Sequence, residues 1–358
     1  MNDEFSKVIV EMIKNPPDPN GPIPLANHKA TMFGVTIPFH ILSWVVVGFR
    51  LHTRFRVVRE PGWDDLFVVV AAFVNLVSVI AFLGGTRYGL GQHLIFVLQT
   101  LPDTMKWLYV TNAAYHTTTA LIKISLLCQY LRMFQGMRRK VCIVMLVMVS
   151  LWGAIFSFMS WFPCFPVNGF WNRTQTPAPK CYGFGYRSIN EAKAIILAFS
   201  GTNMSFDIAI FLIPLTEYFR PGLKRKQILA MTGLFALGSL VVLMAILRLW
   251  STFKHSRSAR DSFNFTWWYP EVLIISCLEV DFAIMCASMP IFWPTVVASW
   301  SEIFVTKEVR VTHQVRMENN SAEHFEMDRT HSLKSTASTE GLTKVRSHGQ
   351  KSYYNDFD

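Results

Sequence analysis

Charge is what this chain has least of. Of its 358 residues, 16% are Asp, Glu, Lys or Arg, where about a quarter is usual in a soluble domain. With 51% hydrophobic and 14% aromatic residues, that scarcity excludes an ordinary water-soluble globule. Other absences narrow the reading. No internal repeat or second folded domain is visible, and no cleavable signal peptide, because Val8-Ile9-Val10 is too short for an apolar signal core. His40, His93 and His116 are scattered over the first apolar stretch, a loop and the third stretch, so no metal site and no membrane zinc hydrolase are expected. Gly89-Leu90-Gly91 is too short to cradle phosphate and reads as a tight turn. No catalytic residues, and so no enzyme, are expected.

What is abundant is apolar sequence in long runs. Seven stretches, Met32–Phe49, Leu66–Gly85, Leu108–Leu131, Val141–Phe162, Ala194–Leu215, Ile228–Trp250 and Val272–Val297, are separated by polar loops. A helix needs about 20 mostly apolar residues to cross ~30 Å of hydrocarbon. Backbone groups in lipid must pair internally, so only helices or closed barrels can span. Barrel strands would alternate in polarity, and these runs do not. The fold class expected is an all-α membrane protein, a seven-transmembrane-helix bundle. Residues 1–27 read as an extracellular segment, 28–300 as the bundle and 301–358 as a cytoplasmic, largely disordered tail.

The net charge of +10 does not point to nucleic acid. From Ser301 onward eight Lys/Arg face nine Asp/Glu, so the excess lies beside the helices. Arg50, Arg54, Arg56 and Arg59 fall in the first loop, Arg132, Arg138, Arg139 and Lys140 in the third, and Arg220, Lys224, Arg225 and Lys226 in the fifth. The even loops are sparser for their length. Lys/Arg-rich short loops stay in the cytoplasm, which places the N-terminus outside and the C-terminus inside, with the plasma membrane the expected location. Asn172-Arg173-Thr174 and Asn264-Phe265-Thr266 are N-x-T glycosylation acceptors on the outer side. Cys164 and Cys181 share an outer loop with sixteen residues between them. An oxidising exterior predicts a disulfide there; two free thiols packed against aromatics are the alternative. Cys128, Cys142, Cys277 and Cys286 lie in or at the ends of helices.

The termini stay open. Phe5, Val8, Ile9, Met12 and Ile13 follow helical spacing up to Asn15-Pro16-Pro17, which fits an amphipathic surface helix or a loose tail. Ile303, Val305, Val309 and Val311 alternate with polar residues, as an extended segment or a helix on the inner leaflet. Beyond Glu318 the tail is too polar to bury a core. Ser332, Ser335, Thr336, Ser338 and Thr339 are candidate phosphorylation sites, with solvated linker as the default.

Ionisable residues inside the membrane are the best functional clues. They are Lys123, Asp207, Arg248, Glu279 and Asp281. Arg248, near the outer end of helix six, can snorkel to the interface. Lys123 and Asp207 lie at similar depth on helices three and five, so an ion pair is geometrically open to them. Each charge at a helix centre costs about 2.5–3.5 kcal/mol, and an interhelical polar contact returns about 0.6–2. Further hydrogen bonds or a wet cavity are therefore expected around the pair. Asn112, His116, Thr119, Lys123 and Tyr130 form one polar stripe, and Ser200, Asn203 and Asp207 another. A buried network that fixes packing and a ligand or switch site are both open readings. Glu279 and Asp281, two residues apart on helix seven, point in roughly opposite directions. Glu279, Ala283, Cys286 and Pro290 share a face. Pro214, Pro290 and Pro294 should bend or loosen their helices.

Gly62-Trp63-Asp64-Asp65, Tyr88-Gly89-Leu90-Gly91-Gln92-His93, Lys123-Ile124-Ser125-Leu126-Leu127 and Tyr130-Leu131-Arg132-Met133-Phe134 occur in order. Cys164-Phe165-Pro166-Val167, Trp171, Cys181, Asn203, Asp207, Pro214, Gly238, Arg248, Leu278-Glu279 and Pro290 follow. From about Arg54 to Pro294 the chain resembles the fungal rhodopsin-domain integral membrane proteins, a seven-helix family that includes receptor-like members. Phe292-Trp293-Pro294 departs from the family's usual Leu-Arg-Pro. The resemblance implies a receptor-like protein that senses an extracellular ligand and signals through cytoplasmic loops to a partner. An ion-coupled transporter of a small solute is the alternative, although no inverted repeat or interrupted helix pair is visible. Retinal as a cofactor is not expected. It needs a Schiff-base lysine, microbial pigments carry that lysine on helix seven, and helix seven here has none. The remaining expected partners are membrane lipids.

Overall fold

In the computed structural model the described residues are 9–10, 12–18, 21–172, 176, 178–185, 189–218, 225–255 and 264–304. They belong to a unit spanning Met1–Thr306. Phe5, Val8, Arg173, Thr174, Arg220, Lys224 and everything from Val305 onward, including the tail expected to be disordered, lie outside the described residues. Near the N-terminus, residues 9–10 and 12–14 are helical and Met12 is buried.

Each of the seven apolar stretches is a helix, and most extend beyond the apolar run. They are α1 (Lys29–His52), α2 (Trp63–Gly85), α3 (Leu101–Met133), α4 (Met137–Trp161), α5 (Ile189–Tyr218), α6 (Arg225–His255) and α7 (Phe265–Phe304). A π-helical turn, Thr53–Val58, continues α1. Six of the seven are long and apolar enough to cross a membrane by length and composition. The exception is α3, which at 33 residues has ample length. Its Asn112, His116, Thr117–Thr119, Lys123 and Gln129 lower its mean hydropathy. The polar stripe of α3 is thus what sets it apart from the other six helices in hydropathy.

The bundle is apolar on the outside. Phe73, Ile80, Val144, Leu151, Ile155, Leu243 and Trp250 are large and exposed, whereas Lys123, Arg248, Glu279 and Asp281 are buried. This inversion of the soluble pattern suits a hydrocarbon surround. At the centre stands α7, with 78% of its apolar span buried against 22–44% for the other five. It packs on α1 and α6, and also on α2 and α3. By contrast, α5 packs mainly on α6 and touches α3 and α4 little. The helix assignment of α7 runs unbroken through Pro290 and Pro294, so the expected loosening does not interrupt it. Pro214 likewise lies inside α5.

The two ends of the bundle are built differently. At one, Cys164–Phe165 and Lys180–Cys181 pair as a two-stranded antiparallel ribbon, with Cys164 opposite Cys181, and a disulfide joins them. This is the hairpin end. Gly185 fits beneath the bridge because a Cβ there would lie 2.2 Å from the Pro163 carbonyl oxygen. The loop after α2 turns at Gly89 and Gly91, both at positive φ, as the glycine spacing predicts. The other end, the arginine end, carries Arg50, Arg54 and Arg132.

Candidate functional site

Two buried ionic networks and a carboxylate cluster are threaded along the bundle, and all three involve α7. The first joins α3, α5, α6 and α7. The Lys123 ammonium donates to Asp207 Oδ1 at 2.7 Å and to Asn203 Oδ1 at 2.9 Å. Asn203 Nδ2 donates to Glu279 Oε1 at 2.8 Å and to Asp207 Oδ2 at 3.2 Å. On the far side of Glu279, Arg248 Nε donates to Oε2 at 2.9 Å, and Tyr115 Oη donates to Oε1 at 3.3 Å. Arg248 Nη1 reaches Ser200 Oγ at 3.3 Å. Its Nη2 has no hydrogen-bond partner among the described residues, but the guanidinium lies 5.3 Å from the Tyr115 ring centroid and 5.8 Å from that of Phe199, where a cation is attracted by the ring faces.

Asn203 is thus the bridge between two ion pairs. An amide can do this because it offers both an acceptor and donors. Two cations face two carboxylates, so the network is neutral when all four groups are ionised. The expected Lys123–Asp207 pair is present, together with the further hydrogen bonds its desolvation calls for. One expectation fails. Arg248 does not snorkel: it is 3% exposed and turns inward, because Glu279 is within reach. His116 stands apart from this network. Its Nδ1 lies within hydrogen-bond distance of Ser160 Oγ on α4, and its ring stacks on Phe184 at 4.4 Å and meets Phe199 edge-on at 4.0 Å.

A cavity of about 40 Å³ lies directly against this network, on its arginine-end side. Lys123, Asp207, Glu279 and Thr119 form its polar end; Ile210, Phe211, Phe235 and Val280 are among its apolar walls. A water needs about 10–15 Å³ measured this way, so the space holds about three. Glu279, Ala283 and Cys286 line it together, as their shared helix face predicts.

The second cluster joins α1, α2 and α7 around Asp281, on the opposite face of α7 from Glu279, as their two-residue spacing predicts. Asp281 Oδ1 accepts from Ser43 Oγ at 3.0 Å and Asn75 Nδ2 at 3.0 Å, and His40 Nδ1 is 3.2 Å away. The Trp44 indole N–H donates to His40 Nε2 at 3.1 Å. Nε2 is therefore the acceptor nitrogen, and Nδ1 carries the proton toward Asp281. Asp281 Oδ2 has no partner among the described residues.

The third network corrects the sequence reading. Arg50 and Arg54 are not free loop charges. Arg50 ends α1 and is fully buried. Its Nε donates to Asp65 Oδ1 at 2.8 Å, its Nη2 to Asp64 Oδ2 at 2.6 Å and its Nη1 to the Ala287 carbonyl of α7. Arg54 lies 2.9 Å from both Asp64 and Asp65, although at Nε the pairing is ionic without hydrogen-bond alignment. Arg132, at the end of α3, reaches Asp64 Oδ1 at 3.0 Å. Gly62 makes this possible, since a Cβ there would stand 2.2 Å from Arg132 Nη1. Asp65 Oδ2 also accepts from the Gly62 N–H at 3.0 Å and caps α2. The sequence signal was two adjacent acids opening an apolar run ten to fifteen residues after two arginines.

Of the two glycosylation acceptors, Asn172 is described only in part of its triplet. Asn264 is committed. Its Oδ1 accepts from the Leu94 N–H at 2.9 Å and its Nδ2 is 2.9 Å from His93 Nδ1. Thr266 is fully buried and Asn264 is half-buried. Among the described residues, no group of three or more His, Cys, Asp or Glu is placed to hold a metal ion.

The order of these elements, with Asp64-Asp65 opening α2, Lys123 on α3, Asn203 and Asp207 on α5 and Glu279 on α7, coincides with the span over which the chain matches the fungal rhodopsin domain, residues 49–298. The chain belongs to this family. The chain is also similar to "Wortmanamides biosynthesis cluster protein C" of Talaromyces wortmannii, 23% identical over 293 residues, 78% of this chain and 75% of that protein. No solved structure matches the chain. With six helices apolar enough to span and the family established, this fungal rhodopsin domain protein is a multi-pass membrane protein.

Proposed function

We propose that this fungal rhodopsin domain protein is a seven-transmembrane, receptor-like protein of the plasma membrane. In this reading α3 is the seventh span, its polar face turned inward. The single observation that carries it is the Lys123–Asp207–Asn203–Glu279–Arg248 network, which ties four helices together beside a cavity. A ligand that perturbs one member alters bonds on all four helices, as a two-state bundle requires. The hairpin end faces outward, where its disulfide suits an oxidising medium. The arginine end faces inward. Even without the buried Arg50 and Arg54, exposed Arg56, Arg59, Arg139 and Lys140 leave that end basic, in keeping with cytoplasmic loops that meet a signalling partner.

The reading is non-enzymatic and without a retinal cofactor: α7 carries no lysine, and Lys123 is engaged by Asp207 and Asn203. The name of the Talaromyces relative assigns that protein to a biosynthesis cluster, and a small organic molecule as cue is consistent with it. A transporter is the rival, favoured by the same buried charges. Purified protein in proteoliposomes separates the two. A receptor moves neither protons nor Na⁺ or K⁺ under an imposed gradient, whereas Glu279→Gln changes the transcript profile of cells carrying it. Ion flux that Glu279→Gln abolishes would overturn the receptor reading.

A further inference from the structure

We infer that the cavity beside Lys123 is a binding site for a slender, uncharged, lipophilic molecule with one hydroxyl or carbonyl head, reached from within the membrane between α5 and α6. The inference deepens the receptor reading and rests on it. Four observations carry it. The first is the place of the cavity, on the arginine-end side of the network, with Lys123, Asp207, Glu279 and Thr119 at one end and walls that are apolar apart from Tyr130 and Cys286.

The second is closure toward the hairpin end. There His116 is covered by Phe184, which lies three residues after Cys181 in the disulfide-pinned segment, and Phe199 packs on both rings. Trp152 stacks on Phe199 at 5.3 Å and completes the cover. A polar molecule arriving from that side meets an aromatic plug rather than an open mouth. The third is the position of the opening. The half-buried lining residues are Asp207 and Phe211 on α5, Phe235 and Val242 on α6, and Ala283 on α7. The mouth therefore lies between α5 and α6, with Ala283 on its floor. Phe211 and Phe235 meet edge-on at 5.7 Å across the seam. Gly238 makes room for this lip, since a Cβ there would sit 2.7 Å from the Phe211 ring.

The fourth is charge and width. Lys123 and Arg248 already balance Asp207 and Glu279, so a charged head would enter an apolar medium uncompensated, at a cost that hydrogen bonds to a neutral head avoid. A space of about 40 Å³, room for about three waters, takes a polar head and the first carbons of a single chain, the rest of which lies in the α5–α6 seam, and is too small for a fused ring system.

The test uses the full chain in lipid nanodiscs and a straight-chain decanol bearing a diazirine and a terminal alkyne. After photolysis, peptide mapping should find adducts on the α5 and α6 peptides containing Phe211 and Phe235. Excess 1-decanol should lower this labelling about tenfold, whereas decanoate and cholesterol should not. Ala283→Phe fills the floor and should reduce labelling to a similar degree; Val242→Trp, which narrows the mouth, is the second variant should the first not fold. Labelling that decanol does not compete, or that both variants leave unchanged, would mean lipid-surface partition and overturn the site. Equal competition by decanoate would overturn the uncharged head, and equal competition by cholesterol the slender shape. The readout is binding alone, so it stands apart from the flux and transcript tests of the receptor reading.

Discussion

The Lys123–Asp207 pair lends itself to a double-mutant cycle whose outcome the geometry dictates. In Lys123→Ala, Asp207 keeps one hydrogen bond, the 3.2 Å contact from Asn203 Nδ2, with its side chain 10% exposed. In Asp207→Ala, Lys123 keeps one, the 2.9 Å bond to Asn203 Oδ1. Removing one partner of a buried pair costs about 3–5 kcal/mol. Water in the adjoining cavity partly solvates whichever charge remains, so the lower figure, about 3 kcal/mol, is expected for each single variant. In the double variant neither charge is left. Asn203 retains its 2.8 Å bond to Glu279 and loses the partner of its Oδ1, which costs about 1–2 kcal/mol. The double variant should therefore be more stable than either single one. At about 2–4 °C per kcal/mol, the singles melt on the order of 10 °C lower and the double roughly 5 °C lower. Melting of the detergent-purified monomer, read by the fraction surviving heating in size-exclusion chromatography, measures this. A double variant whose loss equals the sum of the singles would refute the argument, because it would mean the two charges do not sense each other.

Other perturbations test other parts of the molecule. Arg50→Lys should lower the yield of folded monomer nearly as much as Arg50→Ala, about 3–5 kcal/mol, since one ammonium cannot serve Asp64, Asp65 and the Ala287 carbonyl together; near-normal yield of the lysine variant would contradict the assignment. Cys164→Ser or Cys181→Ser should destabilise by about 3 kcal/mol through loop-closure entropy, and a reductant should lower the melting point of the native protein but not of these variants. Asn264→Gln should leave the mobility of the protein on a gel unchanged, because the Asn264 amide is engaged with His93 and Leu94. A deglycosidase-sensitive shift lost in that variant would show the loop to be modified before it folds.

Much of the architecture was legible because lipid imposes length. Seven runs of about 20 residues became seven helices, and the two-residue spacing of Glu279 and Asp281 placed them on opposite faces of α7. Similar depth left the Lys123–Asp207 pair open, and the structure forms it. What spacing could not supply was partnership at helix ends. Arg50 and Arg54 looked like loop charges because a charge count has no term for burial. Their partners Asp64 and Asp65 come from the next helix, brought back by a tight connection. Arg248 went astray for a related reason. Its depth allowed escape to the interface, but Glu279 of a neighbouring helix offered a better end point. The Asp281 cluster was missed on the α1 and α2 side, where His40, Ser43 and Asn75 look like isolated polar residues until α7 is set against them.

The distribution of these clusters also ranks the helices by how firmly they are tied. Glu279 holds α7 to α5 and α6, Asp281 holds it to α1 and α2, and the Ala287 carbonyl holds it to Arg50. A rigid displacement of α7 breaks all three sets of contacts at once. At about 3 kcal/mol or more for each broken buried charge pair, that exceeds what a ligand with a differential affinity of a few kcal/mol supplies. The helix with fewer ties to hold it is α5, which touches α3 and α4 little and is joined to them by the Lys123 contacts, the Trp152–Thr202 hydrogen bond and aromatic packing. Amide hydrogen exchange in nanodiscs should therefore be faster along 205–215 of α5 than along 276–288 of α7. Asp207→Asn, which removes the ion pair but keeps a side chain of the same shape, should raise exchange in α5 and leave α7 unchanged. Equal protection of the two helices in the native protein, or loosening of α7 in the variant, would place the switch elsewhere.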